Sequence, residues 1–159
     1  ASRGLGDVYK RQVYTILYTM PGVPSIYYGS EYGIKGVKEN GSDVSLRPLY
    51  DIDAFEKENS ELCDTIARLG EIRSKSKALK YGDFENVVIK NEQLVYSRAI
   101  EDDKVYVLVN LSDNESILDF HMSFEEGMDL LDSSKEIIEG GRVSLKVPAF
   151  SAKIISKSK

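Results

Sequence analysis

The chain has 159 residues, of which 42% are hydrophobic and 30% charged, the composition of a soluble globular protein with room for one ordinary domain or for a small domain plus part of another. Its formal net charge of −5, with Lys and Arg scattered among acids, argues against a nucleic-acid partner or a charge-driven membrane partner, and no stretch approaches the ~20 apolar residues of a membrane span. A single cysteine, Cys63, and a single histidine, His121, exclude an internal disulfide and leave too few of the usual ligands for a zinc cage.

Residues 1–12, ASRGLGDVYKRQ, differ in character from the rest of the chain. The hexamer Asp7-Val8-Tyr9-Lys10-Arg11-Gln12 resembles the translation of a transposon adapter used in sequencing libraries, so residues 1–12 carry no weight in the expected fold. The alternative is a native polar start to the first helix. On the adapter reading, the natural protein extends upstream of Val13.

Val13, Ile16, Leu17 and Met20 recur at i, i+3, i+4 and i+7, one face of a helix. Pro21 and Gly22 stop it, because the residue before a proline is pushed out of the helical region and glycine permits the turn. Ser25-Ile26-Tyr27-Tyr28 is an aromatic and β-branched run and predicts a strand ending at Gly29. Helix, short loop and apolar strand are the grammar of an α/β layer in which both strand faces are covered. From Ser30 to Asp53 the periodicity fades among Gly33, Gly36, Asn40-Gly41-Ser42 and Pro48, and a loop of that length in a compact domain is usually functional or disordered.

Helical signals return around Asp53. Asn59 or Ser60 can cap a second helix, with Glu61 in its first turn and an apolar stripe of Leu62, Ile66, Leu69 and Ile72. Arg68, Arg73, Lys75 and Lys77 fall toward its C-terminal half, where the helix dipole favours cations. Cys63 lies among the apolar positions, where it reads as a small buried hydrophobe rather than a nucleophile. From Tyr81 onward the pattern is strand-like: Val87–Ile89, Leu94–Ile100, Val105–Val109, Ile117–Phe120, Met128–Leu131, Glu136–Ile138, Val143–Val147 and Ala152–Ile155. Glu101-Asp102-Asp103 reads as a turn and Gly140-Gly141 as a hairpin turn. Short strands with frequent turns predict an antiparallel sandwich, with the domain boundary between Leu79 and Gly82.

The segment from Tyr18 to Gly33, YTMPGVPSIYYGSEYG, closely resembles the last helix-to-strand passage of α-amylase-superfamily barrels. There a (T/L)-x-P-G-x-P-x-I-Y-Y-G-x-E-x-G pattern leads into the eighth strand. Gly41 to Pro48, GSDVSLRP, looks like the post-strand loop of cyclomaltodextrinases, neopullulanases and related amylases, which carry an Asp-x-x-x-Arg pair. The Asn59–Lys77 helix resembles the eighth barrel helix. Tyr81-Gly82-Asp83 and the closing Val147–Ile154 resemble the entry and the last strand of the family's C-terminal β-domain.

The resemblance implies residues 13–79 as the end of a (β/α)8 barrel, an α/β remnant holding its last strand and helix, and residues 80–159 as an all-β antiparallel sandwich. It also implies a C-terminal fragment of a retaining glycoside hydrolase that cleaves α-1,4 or α-1,6 glucosidic bonds in maltodextrin, starch or cyclodextrin. Such hydrolysis uses paired carboxylates flanking the scissile bond. In the family these follow strands four, five and seven, upstream of the segment present here, so no residue of this chain takes a catalytic role and the fragment is expected to be inactive alone. No cofactor or protein-bound metal is expected from these residues, and the calcium sites of the family lie earlier in the barrel.

Barrel active sites lie at the C-terminal ends of the strands, which places Tyr28 to Glu31 and the loop after them over the substrate face. Asp43 and Arg47 are the candidate substrate-binding residues: a carboxylate accepts two sugar hydroxyl protons and a guanidinium donates in a fixed fork. The alternative for that pair is a salt bridge pinning the loop. Tyr28 and Glu31 are expected to be structural at the strand end, Glu31 by accepting backbone amides or pairing with a neighbouring strand's base. Tyr27 and Tyr28 should point to opposite faces of the strand. Tyr14 and Tyr18 read as packing residues, while Tyr32 and Tyr50 lie in loops. The implied partner is an α-glucan oligosaccharide, and self-association belongs to the intact parent. An α-glucan transglycosylase or isomerase, a non-enzymatic carbohydrate-binding β-module and an inactive barrel homologue are the competing readings.

Overall fold

A computed structural model describes residues 5–33, 38, 41–47, 49, 51, 53, 60–137 and 141–158. Helix α1 runs Leu5–Thr19 and helix α2 Ser60–Lys75, with a short helix α3, Lys77–Tyr81, directly after it. Eight strands complete the described chain: β1 Asp83–Ile89, β2 Gln93–Ile100, β3 Asp103–Asn110, β4 Ser116–His121, β5 Glu126–Asp129, β6 Lys135–Ile137, β7 Arg142–Val147 and β8 Ser151–Lys157. Every strand run expected from Tyr81 onward has its counterpart. Asn59, Tyr50, Ile138 and Gly140 lie outside the described residues.

The pairing is antiparallel throughout. A six-stranded sheet has the order β1-β2-β3-β8-β5-β6, and β4 and β7 form a separate two-stranded sheet. Side chains alternate across a strand, so each central strand of the large sheet serves two cores. Val95, Tyr106, Leu108 and Ile155 point to one face and pack against Leu118, Phe120, Val143, Leu145 and Val147 of the small sheet. Tyr96, Val105, Val107, Val109 and Ile154 point to the other and pack against Tyr14, Ile66, Leu69, Ile72 and Leu79 from the helices. The molecule is a three-layer stack of helices, large sheet and small sheet.

The sequence carries this difference. β3 reads DKVYVLVN and is buried continuously from Val105 to Asn110, as a strand covered on both faces must be. β7 reads RVSLKV and alternates exposed with buried, because the outer face of the small sheet meets water. The apolar stripe of α2 is seated as expected, with Ile66, Leu69 and Ile72 buried. Asp103, the first residue of β3, reaches α3: its Oδ2 accepts from the Ala78 amide at 2.8 Å and from Ser76 Oγ at 3.1 Å. Gly82 joins α3 to β1 where a Cβ would lie 2.6 Å from the Ala78 oxygen and 2.8 Å from the Ala99 carbonyl, so only glycine lets the two backbones approach.

Several expectations are corrected. Ser25 to Tyr28 forms no strand, because no other strand of the described chain offers it a hydrogen-bonded ladder; propensity alone does not satisfy backbone amides. Tyr27 and Tyr28 therefore do not divide between two buried faces: they are 56% and 50% exposed. In α1, Val13 is 58% exposed, while Tyr14, Thr15 and Thr19 turn inward against the sheet. Residues deepest in the contact are thus one position away from the apolar stripe, because the sheet meets α1 on its threonine side, where side-chain hydroxyls bond back to the helix carbonyls of Arg11 and Thr15. Gly141 does not close a β6–β7 hairpin: β6 pairs with β5 and β7 with β4, so the chain crosses there from one sheet to the other. Cys63 is partly buried rather than fully so, and its thiol donates to the Glu31 carbonyl at 3.4 Å.

Candidate functional site

Helix α1 stops at Thr19, and Gly22 takes φ 104, a conformation glycine adopts without strain. The chain then runs through residues 23–28 to a single 3-10 turn, Ser30–Tyr32, flanked by Gly29 and Gly33, both left-handed. The turn is anchored from α1 by Lys10, whose Nζ donates to the Gly33 carbonyl at 3.3 Å, and by Tyr14, whose hydroxyl is hydrogen-bonded with Ser30. Burial pushes the Tyr14 phenol up; its bond to Ser30 acts the other way, and the nearby Glu31 charge adds to the rise.

A second 3-10 turn, Val44–Leu46, presents the two candidate sugar-contacting residues at its ends. Asp43 precedes it, its carbonyl accepting the Leu46 amide at 3.0 Å, and Arg47 comes after it, its amide donating to the Val44 carbonyl at 3.2 Å. Arg47 Nε donates to the Tyr27 hydroxyl at 2.7 Å, with the guanidinium 5.7 Å from the Tyr27 ring centroid. That hydrogen bond raises the Arg47 pKa above its ordinary value, with the Tyr27 charge adding to it. The fork's Nη groups have no hydrogen bond among the described residues. Asp43 pairs with Lys38 at 3.2 Å, not with Arg47. The loop-pinning salt bridge considered for the pair is therefore replaced by two separate contacts, and both residues stay exposed.

Tyr28 follows Tyr27 in the chain and is half-exposed. Glu31 lies in the Ser30–Tyr32 turn, and its Oε2 is buried with no hydrogen-bond partner among the described residues. Tyr18 packs over Gly70, whose added Cβ would lie 3.7 Å from its ring. Among the described residues, no cluster of three or more His, Cys, Asp and Glu could hold a metal ion.

Sequence reasoning missed the Tyr27 hydroxyl as the partner of Arg47, since the two are brought together only by the loop. It also missed Arg98, a guanidinium 1% exposed in the middle of β2. The signal was present: an arginine inside LVYSRAI, a run otherwise fit for a buried strand.

No family model matches the chain. It is 29% identical over 151 residues to the maltogenic α-amylase of Bacillus acidopullulyticus, covering 91% of this chain and 25% of that protein. It is 33% identical over 110 residues to the cyclomaltodextrinase of Geobacillus thermopakistaniensis, covering 67% of this chain and 18% of the relative. With the cyclomaltodextrin glucanotransferase of Geobacillus stearothermophilus it shares 37% identity over 101 residues, 64% of this chain and 13% of the relative. Among solved structures, an Anoxybacillus α-amylase superposes with a TM-score of 0.81 at 25% identity, over 95% of this chain and 32% of that one. The fold also matches a Geobacillus thermoleovorans α-amylase complexed with acarbose, TM-score 0.82 at 22% identity, over 96% of this chain and 34% of that one. The antiparallel β part corresponds to the C-terminal β-domains of these enzymes. The chain is thus a relative of the α-amylase-family glycoside hydrolases, similar to them across most of its own length and spanning a minority of theirs.

Proposed function

We propose that the chain is the C-terminal part of a retaining glycoside hydrolase of the α-amylase family that cleaves α-1,4 or α-1,6 glucosidic bonds in maltodextrin, starch or cyclodextrin. Residues 13–79 form the end of a (β/α)8 barrel and residues 80–159 its C-terminal β-sandwich. The observation that carries this reading is the similarity running continuously across both parts, 91% of the chain in a single match to a maltogenic α-amylase.

In the intact enzyme, Ser25 to Tyr28 gains strand neighbours on both sides and becomes the eighth barrel strand. The exposed apolar groups Val13, Tyr27 and Tyr28 then meet the rest of the barrel. Arg47 and Asp43 stand on the loop over the substrate face. Held by Tyr27 through Nε, Arg47 offers its Nη groups as a planar donor fork to adjacent sugar hydroxyls, and Asp43 accepts hydroxyl protons beside it. They orient one ring and perform no bond cleavage. Catalysis belongs to carboxylates outside this chain, so the chain alone binds weakly and hydrolyses nothing. A second reading, transglycosylation in place of hydrolysis, is favoured by the glucanotransferase relative, because strand eight does not choose between water and sugar as acceptor.

Upstream coding sequence tests the proposal: an Asp, a Glu and a second Asp in the family's contexts are expected. Their absence would leave a non-catalytic carbohydrate-binding protein. On the chain itself, maltotriose titrated by NMR should shift Arg47 and neighbouring signals, and Arg47→Ala should weaken binding roughly tenfold or more. Hydrolysis of maltotriose by the purified chain would contradict the assignment.

A further inference from the structure

Two guanidinium groups converge on the C-terminal end of α1. Arg98, from the middle of β2, donates from Nη1 to the Thr19 carbonyl at 2.7 Å and from Nε and Nη2 to the Gly82 carbonyl at 3.2 and 2.7 Å. Arg73, in the last turn of α2, donates from Nη1 to the Tyr18 and Met20 carbonyls at 2.7 and 3.2 Å, and from Nη2 to the Gly22 carbonyl. Neither has a carboxylate at ion-pair distance among the described residues. Their counter-charge is the carbonyl end of α1, the negative pole of the helix dipole. Burial holds both below the ordinary arginine pKa, and the Arg73 charge lowers Arg98 further.

Packing alone does not account for this pair. Apolar side chains of similar volume often stabilise a buried site at least as well as desolvated charges do, whereas hydrogen-bonded charges fix geometry. The geometry fixed here is that of one short path. Arg73 bonds the Tyr18 carbonyl in the last turn of α1, the Met20 carbonyl just beyond it and then Gly22, the glycine at φ 104 from which residues 23–28 depart. Tyr27 lies five residues on, and its hydroxyl receives Arg47 Nε.

We propose that Arg98 and Arg73 are positioning residues that together set the direction in which residues 23–28 leave α1, and hence where Tyr27 holds Arg47, so that α2 and the β-sandwich jointly control the geometry of the sugar-contacting loop. That this loop contacts sugar rests on the function proposed above; the mechanical coupling does not.

The test tracks the Arg47 Nε–H resonance by NMR in the full chain, for the wild type, Tyr27→Phe, Arg98→Met and Arg73→Lys. Tyr27→Phe defines the resonance without its acceptor. Arg98→Met and Arg73→Lys are each expected to move the wild-type signal toward that position while the amide signals of β4 and β7 stay in place. Should Arg98→Met fail to fold, Arg98→Lys, which keeps the charge but not the fork, takes its place beside Arg73→Lys. An unmoved Arg47 signal in a variant with intact β4 and β7 amides overturns the proposal. Maltotriose added to the wild type separates the two claims: coupling without a sugar-induced shift sinks the sugar contact only, and a sugar-induced shift without coupling sinks the clamp only.

Discussion

The phenolic oxygen of Tyr96 and Oγ1 of Thr19 share a buried hydrogen bond that joins the middle of β2 to the last residue of α1. Thr19 Oγ1 also bonds back to the Thr15 carbonyl at 2.5 Å, so the contact closes a short relay from helix backbone to sheet. Tyr96 is fully buried, and with Arg98 two positions along β2 it binds the helical layer to the sheet by polar contacts set within an apolar core.

That relay gives alkaline pH a handle on stability. Burial pushes the Tyr96 phenol up to about 12, against smaller opposing effects of the Thr19 bond and the Arg98 charge. A folded-state pKa above the unfolded value of about 10 means that the native state holds the proton more tightly. The resulting stability is complete below about pH 10 and is lost as the pH rises through the folded pKa, a total of roughly 2–3 kcal/mol. Urea titrations between about pH 9 and about pH 12 should show this fall in the wild type and a flatter dependence in Tyr96→Phe. The variant should cost about 1 kcal/mol at neutral pH. Equal slopes in the two proteins would show that Tyr96 does not govern the transition.

At Asp129 the pH dependence has the same sign, but neutralising the side chain should stabilise the fold where Tyr96→Phe destabilises it. The residue is 1% exposed, and its Oδ1 accepts from the Leu131 and Ile154 amides at 3.0 and 3.1 Å. Burial is the largest influence and raises its pKa, outweighing the two amides and Lys153. Because the folded pKa is raised, its contribution is complete below the unfolded value and declines as pH rises through the folded one. Asp129→Asn keeps the acceptor without the charge and should be more stable than the wild type at neutral pH, a gain that disappears under acid conditions. Asp129→Ala leaves both amides unbonded and should lose about 2 kcal/mol. Destabilisation by Asn as large as by Ala would mean that the pairing with Lys153 outweighs the cost of burial.

Gly82→Ala should destabilise the chain by about 2–4 kcal/mol. The added methyl would strike the Ala78 and Ala99 carbonyls, backbone atoms that cannot rotate away, at the junction that also supplies the acceptor for Arg98. A melting temperature equal to the wild type's would show that the α3–β1 junction relaxes freely.

Amides of Ser25, Ile26 and Tyr27 should exchange with solvent orders of magnitude faster than those of Val105 to Val109, which lie in a ladder between β2 and β8. Hydrogen exchange on the isolated chain reads this directly. Strong uniform protection across residues 25–29 would require a strand partner that the described chain does not supply.

What the sequence alone determined is what local chemistry determines. The i, i+3, i+4 stripe seats α2 because helix periodicity is a property of the segment itself, and eight β-rich runs became eight strands because alternation and turn residues act over a few positions. The continuous apolar run of β3 and the alternation of β7 match a strand covered twice and one covered once, a difference the sequence carries but the strand readings left undrawn. Pairing is different in kind. Nothing within Ser25 to Tyr28 states whether a neighbour exists to accept its hydrogen bonds, and nothing in Gly141 states that β6 and β7 belong to separate sheets. The same holds for the site: Asp43 and Arg47 were legible as residue types at a spacing, but Tyr27 as the partner of Arg47, and Arg98 beneath α1, arise from groups 20 and 79 residues apart in the chain. Only tertiary structure decides such contacts, because a hydrogen bond or a buried charge takes its energy from what surrounds it.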